Sequence, residues 1–210
     1  MPPLWTRPVG TLELGVPLFL DIAGDGYIDV VAAEQQVVAD CQSVLPDDAI
    51  LSLDSGVHHN WYMQFWKARR PQTMLNTWGF SGMGFGPSGI LGAKLAAPDR
   101  PCVAVCGDGG FMYAAAELST AVRHGINVVS VVFNNEGYGA SMWDQQTRFE
   151  GRYLATDLVN PDFKALALAY GAHGERVTKN EEFGPALTRA LGANKAALIE
   201  LITDPEQINT

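Results

Sequence analysis

The sequence predicts a single α/β domain, a doubly wound parallel sheet with helices on both faces. Three observations predict it. Short, almost wholly apolar runs such as "PCVAVCG" (101–107) and "INVVSVVF" (126–133) read as strands buried on both sides, because a strand with one wet face would alternate polar and apolar residues. Stretches with apolar residues at helical spacing separate those runs, the alternation expected of a parallel sheet with crossover helices. Polar residues follow the runs directly, at Asp54, Asp108 and Asn134-Asn135, which places them at the strand carboxyl ends where open parallel sheets bind ligands.

Taken in order, residues 1–26 carry Pro2, Pro3, Pro8 and Pro17 and read as an extended N-terminal arm. Its stretch "LELGVPLFLDI" is too apolar to be happily solvated, so the arm is expected to dock on a surface. The domain proper is expected over 27–210. From Ile28 the positions Val31, Ala32, Gln35, Val38 and Cys41 follow helical spacing, and "PDDAILSLDSG" supplies a short apolar strand ending in Asp54-Ser55-Gly56. A helix is expected over 57–67, then the glycine-rich turn "TWGFSGMGFGPSG", then a helix to Ala97, before Pro98. The strand "PCVAVCG" leads into a helix over 111–124, whose stripe is Phe111, Ala115, Leu118 and Val122 and whose end is His124-Gly125. After the strand "INVVSVVF" come helices near 162–170 and 181–191, and strands near 174–177 and 196–202.

With 210 residues, 47% of them hydrophobic and 18% charged, the chain has material for one sizeable core. A net charge of −9 argues against a general nucleic-acid or anionic-membrane surface, which would need clustered Lys and Arg. An anionic ligand would therefore need local neutralisation. The apolar runs are too short to span a bilayer and the first residues lack a basic-then-apolar signal layout, so the expected compartment is cytoplasmic. Cys41, Cys102 and Cys106 have no metal-type spacing and read as core thiols.

The stretch 106–140 holds the candidate chemistry. A right-handed crossover from the strand ending at Gly107 to the strand ending near Asn134 brings Asp108 and Asn135 to neighbouring or near-neighbouring tips. Asp108 offers a hard anionic oxygen, Asn135 a neutral one, and Gly137 a backbone carbonyl that no side chain obstructs. Three such oxygens suit magnesium and leave coordination sites for two phosphate oxygens and a water. Gly109 and Gly110 open a helix, so their N–H groups can face the same phosphates. Gly-Asp-Gly alone is a common turn and Asn-Asn a common loop pair. Separated by 24 residues (110 to 133) and joined as strand, helix and strand, they are far more specific.

"GDG", an intervening stretch of this length and "NN" resemble the thiamin-diphosphate-binding signature. The stretch "NTWGFSGMGFGPSGILGAKLAAPDRPCVAVCGDGGFMYAAAELSTAVRHGINVVSVVFNNEGYG" is similar to the cofactor-binding domain of acetolactate synthases and benzoylformate decarboxylases. The resemblance covers about residues 32–203. It implies magnesium ligation by Asp108, Asn135 and Gly137, within a cofactor-binding set that also includes Gly107, Gly109 and Gly110. The loop "DSGVHHNW" resembles the diphosphate-holding "DVGQHQMW" of acetolactate synthases, which brings in Gly56 and His58; Val57 stands where that family has glutamine. In "SGMG", Ser81 joins the cofactor set and Met83 falls where the family places a bulky apolar side chain that bends the cofactor, so that its amino group reaches the acidic thiazolium carbon. Tyr138 and Met142 are candidates for the substrate side, with packing an equal alternative.

The resemblance further implies thiamin diphosphate and Mg2+ as cofactors and a 2-oxo acid substrate that is decarboxylated or carboligated. In the family, a glutamate on a separate pyrimidine-binding domain protonates the aminopyrimidine, and this chain has no such domain. The expectation is a split enzyme: an independent diphosphate-binding subunit paired with a pyrimidine-domain subunit in a two-fold hetero-oligomer. A non-catalytic or regulatory cofactor-binding homologue is the alternative. A doubly wound nucleotide binder is disfavoured, since neither G-x-G-x-x-G after a first strand nor a P-loop lysine is present.

Overall fold

The computed structural model describes residues 30–77 and 79–204; the expected arm at 1–26 lies outside them. Six strands form one sheet in the order β2-β1-β3-β4-β6-β5, every neighbouring pair parallel. They are β1 (Ile50–Leu53), β2 (Met74–Leu75), β3 (Cys102–Gly107), β4 (Val129–Asn134), β5 (His173–Val177) and β6 (Ala197–Ile202). Every residue of β1 and β4 is buried, which is why these runs are continuously apolar.

Alternate strand residues feed two cores. Leu51, Leu53, Val103, Val105, Val129, Val131 and Phe133 face α1 (Val30–Val44), α2 (Val57–Phe65) and α8 (Asn180–Gly192), through Cys41, Trp61, Phe183 and Leu187. Ile50, Cys102, Ala104, Cys106 and Val132 pack on the other side with Ile90 of α3 (Phe85–Ala96), Phe111 of α4 (Asp108–Ala114), Leu118 of α5 (Glu117–His124) and Phe163 of α7 (Phe163–Ala169). Period-two side-chain alternation thus divides one sheet between two helical layers, the predicted doubly wound class. The three cysteines are buried and free, and burial pushes the Cys41 thiol up to about 12.

Three local differences from the sequence reading have physical reasons. The expected helix over 111–124 is two helices, α4 and α5, and begins earlier, at Asp108 itself. The two-residue β2 carries too few residues to show a period. Helix α6 (Gly139–Arg148) was not expected at all: none of its residues is buried, so it has no core stripe to read. Among the described residues no helix is long and apolar enough to cross a membrane.

Candidate functional site

From β1 the chain passes outward to β2, whereas from β3 it passes the other way to β4, so the crossovers diverge between β1 and β3. Such a switch point leaves a crevice at the strand carboxyl ends. A cavity of about 460 Å3 lies there.

Next to the lining residue Ser55, Asp54 is fully buried just beyond β1. The Asp54 carboxylate accepts the Ser55 N–H at 2.9 Å and the Gly84 N–H at 3.0 Å to both oxygens, and the Phe85 and Gly86 amides also face it. These are the first amides of α3, which have no partner within the helix, so Asp54 caps α3 from another strand. Gly84 takes the left-handed conformation (φ 88°) that this approach needs. On the α4 side, a methyl group at Gly110 would overlap Asp54 Oδ2. Asp54 therefore shares the ligand-bearing edge, but its carboxylate is committed to the backbone.

Asp108 is the first residue of α4 and is 2% exposed. Its Oδ1 accepts the Gly109 N–H at 2.8 Å; Oδ2 accepts the Gly137 N–H at 3.2 Å and Asn160 Nδ2 at 2.7 Å. Burial raises its carboxyl above the ordinary value of 3.8, and the donors from Gly109, Asn160 and Gly137 oppose that rise. The expectation that both Gly109 and Gly110 amides face a ligand needs correction for Gly109, whose N–H Asp108 already holds.

The other predicted residues surround the same space. Gly56 and His58 line the cavity at the start of α2, Ser81 and Met83 on the loop before α3, and Gly107 and Gly110 at the β3 tip. Asn135, Gly137 and Tyr138 line it beyond β4. The Ser81 hydroxyl reaches Ser55 Oγ at 3.3 Å, and the Gly137 carbonyl accepts the Gly139 N–H at 3.1 Å. Val57, Tyr113 and Thr203 also line it. His58, 3% exposed and stacked on Phe133 at 5.9 Å, is held neutral with its pKa lowered to about 3, by burial first and by neighbouring His59 second. Its Nε2 is buried without a hydrogen-bond partner among the described residues.

Sequence reasoning missed Asn160, which donates to Asp108 across 52 positions. Its only local signal is an asparagine before Pro161, which marks a loop and not a contact.

The residues present fit a hard cation carrying an anion. Among the described residues no Lys or Arg lines the cavity, so the buried Asp108 carboxylate has no cationic partner among them there. Among the described residues no three His, Cys, Asp or Glu side chains cluster as a metal site, so a cation here must draw on neutral oxygens such as the Asn135 amide and the Gly137 carbonyl. All-oxygen ligation suits Mg2+ and not a thiophilic metal.

Comparison with known proteins identifies the family. The family model described as thiamine pyrophosphate enzyme, C-terminal TPP binding domain, matches residues 54–201. The chain is 34% identical over 160 residues to the acetolactate synthase isozyme 2 large subunit of Escherichia coli, covering 76% of this chain and 29% of that protein. It is 32% identical over 176 residues to sulfoacetaldehyde acetyltransferase of Castellaniella defragrans, covering 82% and 29%. A solved thiamine diphosphate-dependent 4-hydroxybenzoylformate decarboxylase of Rhodococcus jostii superposes with a TM-score of 0.78 at 29% identity, covering 88% of this chain and 35% of that one. The chain thus spans about a third of the length of these relatives.

Proposed function

The chain belongs to the thiamine pyrophosphate enzymes, as their C-terminal TPP-binding domain, and from that membership we propose that it is the diphosphate-binding subunit of a 2-oxo acid decarboxylase or carboligase. The observation that carries the proposal is the buried Asp108 carboxylate, set at the switch-point cavity with Asn135 and Gly137 and with no Lys or Arg among the described lining residues. Asp108, Asn135 and the Gly137 carbonyl would hold Mg2+, the Gly110 N–H would donate to the diphosphate, and Gly56 and His58 would close the other side. Met83 and Tyr138 lie on the cavity wall, where Met83 would support the cofactor and Tyr138 would border the substrate. When bound, thiamin diphosphate supplies an acidic ring carbon and an electron sink for decarboxylation. This chain's residues anchor, orient and neutralise; the acid that protonates the aminopyrimidine comes from a pyrimidine-binding partner in a cytoplasmic, two-fold hetero-oligomer.

Titration calorimetry with thiamin diphosphate, with and without Mg2+, tests the assignment. Wild type should bind only with the cation, and Asp108→Ala should lose that binding at unchanged far-UV circular dichroism, because the metal would be left with neutral ligands alone. Near-wild-type affinity in the variant removes the metal assignment.

A further inference from the structure

The loop between α6 and α7 returns to the strand tips at Asn160, whose side-chain amide bridges two strands. Its Nδ2 donates to Asp108 Oδ2 at 2.7 Å, beyond β3, and to Asn134 Oδ1 at 2.9 Å, the last residue of β4. One amide nitrogen has two protons, so both bonds form at once. Asn134 is held in its turn. Its Nδ2 donates to Glu200 Oε1 at 2.8 Å, and its Oδ1 also accepts the Glu136 N–H at 3.2 Å. Glu200, 1% exposed on β6, takes Arg176 Nε on its other oxygen at 2.8 Å, and Arg176 Nη2 reaches Asp162 at 3.1 Å. An ionised carboxylate only accepts, so Glu200 fixes which end of Asn134 faces it. Asn134 Oδ1 then fixes the donor end of Asn160.

The polar chain therefore runs from Arg176 through buried Glu200, Asn134 and Asn160 to Asp108. Its effect on Asp108 is asymmetric. Oδ2 accepts two donors at hydrogen-bond distance, Asn160 and Gly137, which fill its two lone pairs, whereas Oδ1 accepts the adjacent Gly109 N–H; the Glu136 amide also faces the carboxylate.

We propose that Asn160 is a positioning residue for the cation site: it saturates Oδ2 and so presents Oδ1 of Asp108 as the metal-binding oxygen. This rests on the reading of Asp108 as a cation ligand. Asn160 acts through Asp108 and need not touch the metal. Partners that orient a metal ligand commonly govern affinity by ten-fold or more.

The test measures cation binding rather than turnover. Mn2+ is titrated by electron paramagnetic resonance into the chain with saturating thiamin diphosphate, for wild type, Asn160→Ala and Asn160→Ser, alongside the melting temperature of each protein without cofactor or metal. Wild type should bind. Asn160→Ala should need on the order of ten-fold more Mn2+ for half-saturation, and Asn160→Ser, with one proton in place of two, should also weaken binding, by less. The metal-free melting temperature should move by only a few degrees. A variant that binds Mn2+ as wild type does overturns the positioning role and leaves the cofactor site intact; if Asn160→Ala does not fold, Asn160→Ser decides by the same criterion. A large drop in melting temperature with no change in half-saturation assigns Asn160 to scaffolding and overturns the proposal. A wild type that binds no Mn2+ overturns this proposal together with the reading beneath it.

Discussion

At the residue scale, His58 shows how a site meant for charge can be built from a group kept neutral. Its ring is buried against Phe133 and donates toward the Asp54 backbone carbonyl, and burial first and neighbouring His59 second lower its pKa to about 3 against an ordinary value of 6.5. The unfolded chain binds that proton from pH 6.5 downward and the folded chain only from about 3. Stability contributed by His58 is thus fully present above pH 6.5 and is lost as pH falls toward 3, with a slope of at most about 1.4 kcal/mol per pH unit. Asp54 and Asp108, raised by burial, work in the opposite direction above 3.8, and His59, lowered by burial, in the same direction. These contributions cancel in the difference between wild type and His58→Gln. Urea unfolding at pH 7 and pH 5 should show the wild type losing at least ~1 kcal/mol more than the variant; equal losses would mean that His58 is hydrated and titrates normally. His58 and the Gly-Asp-Gly to Asn-Asn pair were legible because their chemistry sits in short motifs at strand tips. Asn160 was not, since its bonds span 26 and 52 positions and nothing local announces them.

At the element scale, α3 is placed by an acid on a different strand. Asp54 accepts the opening amides of α3 while Gly110 leaves room for its carboxylate, so the β1 tip, the loop carrying Ser81 and Met83, and α4 form one unit. Asp54→Ala would leave those buried amides unmatched, and a loss of about 2 kcal/mol or more is expected. Gly110→Ala should also destabilise, since its methyl group would displace the carboxylate that Asp54 offers. Because both act on one contact, the double variant should lose less than the sum. Chemical denaturation of the four proteins completes the cycle; strict additivity would show that Gly110 is independent of the cap. Elements with a buried face were readable from periodicity, as in β1, β3, β4 and the helices that cover them. Helix α6 was not, because a helix with no buried residue writes no stripe into the sequence, and β2 is too short to show a period.

At the scale of the molecule, the proposed partner has a definite surface on which to dock. The chain spans about a third of its relatives' length, and the cavity is lined by groups that bind and orient, with no carboxylate other than Asp108 on its described walls. Around it, apolar side chains stand in water: Phe80 is 97% exposed, Met83 40%, and Met112 and Tyr113 border a second depression beside Asp108's neighbour Gly109. Helix α6, which carries Met142 and Trp143 next to the cavity residues Tyr138 and Gly139, has no buried residue either. Uncovered apolar surface contiguous with a functional cavity is characteristic of an interface. On the proposed function, a pyrimidine-binding partner would cover this rim and supply the acid assigned to it. The chain alone should then bind thiamin diphosphate with Mg2+ and yet turn over no 2-oxo acid, whereas addition of the partner should start decarboxylation and protect α6 and the 79–84 loop from hydrogen exchange. Assays with several 2-oxo acids, with and without the partner, decide the matter. Robust turnover by the lone chain would mean that one of its own carboxylates does the work assigned to another protein. Binding of the partner without protection of α6 would mean that it docks elsewhere, leaving the apolar rim without an occupant.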